Sequence, residues 1–146
     1  MRFELASPEW VEAVRGVIQG CLAACGREGI DTSDLSFSIC EVSTDPPPHI
    51  GAPGSTVGWH CRVKAGELVD FSAGEATDVD YRLVADYASM HQMSGFEIGE
   101  DPGRAEQYTA LAHSLYDAGK LAVHGKMPRM PAPFRVWHDA MARQTL

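Results

Sequence analysis

Three aspartates and two tyrosines lie close together near the middle of the chain and form a candidate acid–base set: Asp78, Asp80, Tyr81, Asp86 and Tyr87. A carboxylate base and a tyrosine donor that point into one cavity would suit proton transfer. In a strand, however, alternation directs Tyr81 inward and both Asp78 and Asp80 outward. Asp86 stands where a helix N-cap is expected. We therefore expect these carboxylates to be solvated or to cap a helix.

The four cysteines and six histidines do not have the spacing of a metal site. Cys21 and Cys25 are four residues apart on an apolar helical stripe, and Cys40 and Cys61 fall on predicted strands, whereas structural zinc sites favour Cys-x-x-Cys pairs. No His-x-x-x-His pair occurs, and neither a Gly-x-Ser-x-Gly elbow nor a phosphate loop is present. We expect the cysteines to pack as thiols, with no metal and no cofactor.

The elements that position these residues begin with a helix. Ser7-Pro8 predicts its start, and an apolar stripe at three- and four-residue spacing extends it to residue 25, with Gly26 as a left-handed cap. Alternating apolar residues then predict three strands and a stiff proline-rich loop after the first of them: strands 35–40, 57–64 and 69–72, and loop 44–56.

The second half of the chain is predicted to contain a strand, two helices, a strand and a final helix, over residues 79–83, 86–94, 102–118, 121–124 and 133–144. Each strand has one polar face, so we expect helices to cover only the other. The predicted fold class is α+β with two layers: a mainly antiparallel five-stranded sheet and helices packed on one face. Residues 1–146 are expected to form a single domain.

Composition limits the partners. With 45% hydrophobic and 22% charged residues, the chain has the composition of a globular protein. Its net charge of −8 argues against a nucleic-acid partner, because phosphate binding requires a clustered positive field. No apolar run is long enough for a transmembrane segment, and the first residues lack the apolar region of a secretory signal. We expect a cytoplasmic protein.

Three stretches resemble the sterol carrier protein 2 family: Val69-Asp70-Phe71-Ser72 at the end of a hairpin, the strand-to-helix join over residues 78–87, and the Gly-Lys-Leu strand 119–126 after a helix. In that family such a strand precedes the last helix, and the sheet and helices enclose an apolar tunnel for fatty acyl or sterol ligands. The resemblance implies the same fold over about the whole chain, with the final helix as a lid. This chain differs from the family where prolines interrupt residues 127–133.

The first hypothesis for function is a non-enzymatic binding module that carries a lipid, fatty acyl or sterol-like ligand between the sheet and the helices. Methionine-rich helices suit this role because their side chains adapt to irregular ligands. The candidate ligand-binding residues are apolar and lie on those elements: Trp59, Phe71, Tyr87, Met90, Leu115, Phe134, Trp137 and Met141. Three basic residues, Lys126, Arg129 and Arg135, would face an anionic head group.

Two other hypotheses remain open. The alternative is a ligand-free fold that acts through protein–protein contact, with the Pro46–Pro48 loop and the C-terminal segment as its surface. The third is an enzyme like a ketosteroid isomerase or polyketide cyclase, which would require an inward carboxylate beside Tyr81.

Overall fold

A five-stranded sheet and four α-helices make up the fold in a computed structural model that describes residues 1–146. The helices are α1 (Pro8–Arg27), α2 (Tyr87–Ser94), α3 (Pro102–Asp117) and α4 (Trp137–Ala142). The strands are β1 (Phe37–Thr44), β2 (Thr56–Lys64), β3 (Glu67–Ala73), β4 (Tyr81–Asp86) and β5 (Leu121–Gly125). A short 3-10 helix, Ala132–Val136, leads into α4.

The sheet is mixed: three of its four strand pairs are antiparallel, in agreement with the predicted mainly antiparallel sheet, and one pair is parallel. The strand order is β3-β2-β1-β4-β5. β1 pairs with β4 in parallel, and every other neighbouring pair is antiparallel. After β3 the chain crosses behind β2 and β1 before it enters β4. This crossover returns β4 in the direction of β1, so the two strands are parallel although no helix connects them.

The crossover segment, residues 74–80, also covers part of the sheet face that was expected to be polar. Cys40 and Val42 point to that face and are fully buried. The backbone N–H of Ala76 donates to Sγ of Cys40 at 3.3 Å, and the Arg62 guanidinium donates to the Asp78 carbonyl at 2.9 Å. The prediction that one face of the sheet is fully exposed to solvent is therefore wrong at β1, because the crossover segment packs against that face of the strand.

Side-chain caps begin the three longer helices, as their sequences predict. Ser7, Asp86 and Asp101 each accept a hydrogen bond from a backbone N–H in the first turn of the helix that follows. The predicted C-terminal cap of the first helix is wrong. Gly26 lies inside α1, and the left-handed conformation falls on Gly29, with φ +67°.

Residues Ala132–Ala142, which we call the lid, are not the single helix predicted over 133–144. They form the 3-10 helix Ala132–Val136 followed directly by α4, which ends at Ala142. The Phe134 ring packs edge-on against Phe37 at 6.0 Å between centroids. The lid is thus docked on the core.

The segment after the lid packs against α1. Trp10 Nε1 donates to Oγ1 of the buried Thr145 at 2.9 Å, and Phe3 pairs with Thr145 in a short parallel bridge. A cluster of 21 buried side chains between the sheet and the helices, including Cys21, Cys25 and Cys61, forms the core.

Candidate functional site

An acidic side chain, Glu41, lies on the helix-facing side of the central strand. β1 alternates, so Phe37, Ile39 and Glu41 share one face, and Glu41 stands between Trp59 on β2 and Leu83 on β4. Phe37 and Ile39 are fully buried in the core, whereas Glu41 is partly buried. The sheet therefore places a carboxyl group against the helical layer.

The Glu41 carboxyl opens into a small cavity between the sheet and the lid. Its apolar walls come from β4, α2, α3 and α4: Leu83, Met90, Met93, Tyr108, Trp137 and Met141. The polar groups at its surface belong to Glu41, Ser94 and His138. About 30 Å³ is open to the centre of a water molecule, which is room for one or two waters.

Burial controls the charge of Glu41. Desolvation raises the pKa of its carboxyl from 4.5 to about 7, and the nearby indole N–H of Trp59 offsets part of that rise. The indole is close enough to lower the pKa but does not reach hydrogen-bond geometry, so Trp59 Nε1 is buried without a partner. A buried donor left unpaired costs about 1–3 kcal/mol. The site therefore contains an unpartnered buried donor close to the Glu41 carboxyl.

Two tyrosines complete the polar cluster. Desolvation, and then the charge of Glu41, raises the pKa of Tyr81 and raises that of Tyr108 to about 12. Both phenols are therefore neutral donors at physiological pH. The Tyr108 ring also packs edge-on against His138 at 4.8 Å between centroids, and His138 Nε2 donates to the Phe96 carbonyl at 2.8 Å.

This arrangement answers the question that the aspartate set raised. Asp86 caps α2, and Asp80 accepts from the backbone N–H of Ser38 at the back of the sheet. Tyr81 does face the helices, and its carboxylate neighbour is Glu41. Sequence reasoning missed Glu41, although the alternation of Phe37 and Ile39 leads directly to it.

The predicted ligand-binding residues fall into two groups. Met90, Trp137 and Met141 line the cavity. The other five do not line it. Trp59 stacks on Phe71 at 5.4 Å between centroids, and Phe134 and Leu115 are buried in the core. The Tyr87 hydroxyl donates to the Leu5 carbonyl at 2.9 Å, away from the cavity.

The helical layer leaves one edge of the inner sheet face uncovered. Val123 on β5 pairs with Leu83 on β4, so both point to the side on which the cavity lies. Leu83 lines the cavity, whereas Val123 is 42% exposed. An apolar surface therefore runs from solvent at the β5 edge to the cavity. We call this exposed end, around Val123, the mouth.

Basic residues stand outside the cavity. Lys126, Arg129 and Arg135 are all exposed, and none lines it. Cys21, Cys25, Cys40 and Cys61 are free and buried, which confirms their packing role. No three side chains of the types that bind metals converge in the structure.

None of the helices has the length and apolar character needed to cross a bilayer.

Comparison with known proteins reveals similarity at the level of structure. No family model matches the sequence, and no curated protein matches it. A crystal structure of sterol carrier protein 2 superposes with a TM-score of 0.52 at 20% identity, covering 96% of this chain and 95% of that one. A solution structure from Thermus thermophilus, described as a conserved hypothetical protein and a possible sterol carrier protein, gives 0.49 at 20% identity, covering 96% and 86%. The chain therefore has a sterol carrier protein 2-like fold.

Proposed function

We propose that this protein is a non-enzymatic binding module for an apolar ligand, which lies on the inner face of β4 and β5 with one end in the cavity. The observation that carries the proposal is the continuous apolar surface from the mouth at Val123, over Leu83, to Met90 and Met141. Burial of such a surface by an acyl chain or a ring system is favourable by about 25 cal/mol per Å². The similarity to sterol carrier protein 2 supports the same use of the fold.

Binding requires the lid to move. About 30 Å³ admits one or two waters, whereas pockets for small molecules have roughly 300–1,000 Å³. The lid is the element suited to move, since it consists of short helices and begins within the proline-interrupted segment 127–133. Trp137 and Met141 would swing away from Leu83 and leave their places to the ligand. Ligand uptake is therefore coupled to lid opening.

A pair of exposed valines on the two edge strands provides the test. Val123→Asp puts a charge at the mouth, and Val69→Asp puts the same charge on β3 at the opposite edge, where Val69 is 53% exposed. Native mass spectrometry of protein purified from cells, together with thermal shift against alkyl probes, would measure binding. We expect the wild type and Val69→Asp to retain an apolar molecule and Val123→Asp to lose it. Equal retention by both variants would contradict a ligand on this face.

Acid–base catalysis is the second candidate, and Glu41 favours it. A carboxyl with a pKa of about 7 beside two neutral tyrosines has the parts needed to remove a proton next to a carbonyl and hold the resulting oxyanion. The test is deuterium exchange at the α-carbon of an apolar ketone, followed by NMR. Exchange catalysed by the wild type and lost in Glu41→Gln would support an isomerase. Exchange at the uncatalysed rate in both would leave binding as the function.

A further inference from the structure

The buried end of the cavity has an uneven set of polar groups. The Glu41 carboxyl is the one acidic group among its lining residues, the other polar ones being Ser94, Tyr108 and His138, and the indole N–H of Trp59 lies close to that carboxyl. No lysine or arginine lines the cavity, so a carboxylate placed there would find no cation. It would also meet the Glu41 charge at close range in a poorly solvated space, where like charges repel strongly.

We propose that Glu41 selects apolar ligands whose buried end donates a hydrogen bond, an alcohol or an amine, and rejects ligands that end in a carboxylate. This inference rests on the proposed binding function and narrows its ligand class. It replaces the expected contact between an anionic head group and Lys126, Arg129 or Arg135, since those side chains stand outside the cavity. The donor on the ligand would satisfy the Glu41 acceptor when the lid closes.

Selection by Glu41 depends on pH. The titratable groups that face it from the packed elements are Cys61 on β2, Tyr81 on β4, Tyr108 on α3 and His138 on α4. The Cys61 thiol and both phenols have raised pKa values and stay neutral in the physiological range. Glu41, with a pKa of about 7, is charged near pH 8 and mostly protonated near pH 6. His138 also lines the cavity, so a variant must separate the contribution of Glu41 from that of its neighbours.

Three probes with the same alkyl chain test the proposal: dodecanol, dodecylamine and dodecanoic acid, each below its micellar concentration. Binding is measured by calorimetry near pH 8 and near pH 6 for the wild type, Glu41→Gln and the control Glu67→Gln. Glu67 is an exposed carboxylate on β3, so the control changes the net charge equally without touching the cavity. Urea unfolding verifies that each variant is folded.

Near pH 8 we expect the wild type and Glu67→Gln to bind the amine and the alcohol at least tenfold more tightly than the acid. Glu41→Gln should weaken the amine at least tenfold and strengthen the acid, because the amide removes both the attraction and the repulsion. Toward pH 6 the wild type should gain affinity for the acid while Glu41→Gln does not. A shift of equal size in Glu41→Gln would assign the pH effect to a group other than Glu41 and overturn the role of Glu41.

The outcomes separate the two proposals. Preference for the amine alone identifies a cationic head group, and equal binding of the alcohol and the amine identifies a neutral donor; both support selection by Glu41. Tight binding of all three probes with no difference between the wild type and Glu41→Gln overturns the selection and leaves the binding function standing. Failure of all three to bind the folded wild type overturns the binding function, and the selection with it.

Discussion

Replacement of Glu41 by glutamine should stabilise the protein in a pH-dependent way. Because burial raises the pKa of Glu41 from 4.5 to about 7, the folded state holds this proton more tightly than the unfolded state. Between these two values, the unfolded chain has lost the proton while the folded chain keeps it, so the free energy of unfolding decreases as pH rises. The protonated Glu41 carboxyl makes its full contribution to the free energy of unfolding below about pH 4.5, and that contribution is lost above about pH 7. Because glutamine does not titrate, Glu41→Gln should not show this decrease in stability as pH rises.

The size of the effect is set by the pKa shift. A pKa unit corresponds to about 1.4 kcal/mol, so a rise from 4.5 to about 7 sets an upper limit of about 3 kcal/mol. The cavity beside the carboxyl admits water, which reduces the penalty, and we expect about 1–3 kcal/mol. Near pH 8, the free energy of unfolding of Glu41→Gln should exceed that of the wild type by that amount. Near pH 4.5 the advantage should disappear.

Urea unfolding monitored by tryptophan fluorescence measures the difference. With a slope of about 2 kcal/mol per molar urea, the gain near pH 8 corresponds to a midpoint shift of about 0.5–1.5 M. The exposed control Glu67→Gln should leave the midpoint nearly unchanged at both pH values. An advantage of Glu41→Gln that is the same at both pH values would refute a buried, titrating carboxyl.

Three further predictions concern packing. Cys25→Ala should destabilise the protein by about 1 kcal/mol, because this thiol is fully buried in the core; stoichiometric zinc by elemental analysis of the wild type would contradict that role. Phe134→Ala should lower the free energy of unfolding by about 3–5 kcal/mol and Trp137→Ala by about 1–3 kcal/mol, because Phe134 is 3% exposed while Trp137 is only partly buried. Equal losses of stability in urea unfolding would show that the lid docks differently. Gly125→Ala should lower the free energy of unfolding by more than about 2 kcal/mol, and Gly119→Ala should lower it by about 1 kcal/mol. Both glycines have positive φ, but only at Gly125 would a Cβ meet a backbone oxygen, that of Asp80 at 1.9 Å. Similar melting temperatures of the two variants would therefore argue against the close approach of Gly125 to Asp80.

The sequence predicts most elements of this fold because their signals are local. Ser7 and Asp101 precede prolines at helix starts, and alternation identifies β2 from its own residues. The parallel pairing of β1 with β4 has no such signal. Alternation has the same period in parallel and antiparallel strands, and the crossover 74–80 lacks the helix that usually marks a parallel connection.

The sequence predicts the apolar residues of the candidate site but not its carboxyl group, because the position of that group depends on strand pairing. Met90, Trp137 and Met141 lie on apolar stripes, which indicate burial and therefore a place near the helical layer. The sequence predicts that the first strand ends at residue 40. Glu41 is the next residue and is charged, so it was expected to lie in solvent. In the structure β1 continues to Thr44, and the alternation that it maintains turns the carboxyl inward. Pairing with β2 on one side and with β4 on the other extends the strand that far.

The bond between Trp10 and Thr145 sets an order of events during synthesis. The two residues are 135 positions apart, and at about 5–20 residues per second the ribosome makes the second about 7–27 s after the first. Through that interval α1 exists without the acceptor for its indole and without the lid against which it packs. Although α1 is made before the other helices of the structure, it is among the last to be fully enclosed, and its apolar stripe stays uncovered by the lid on the nascent chain during that interval.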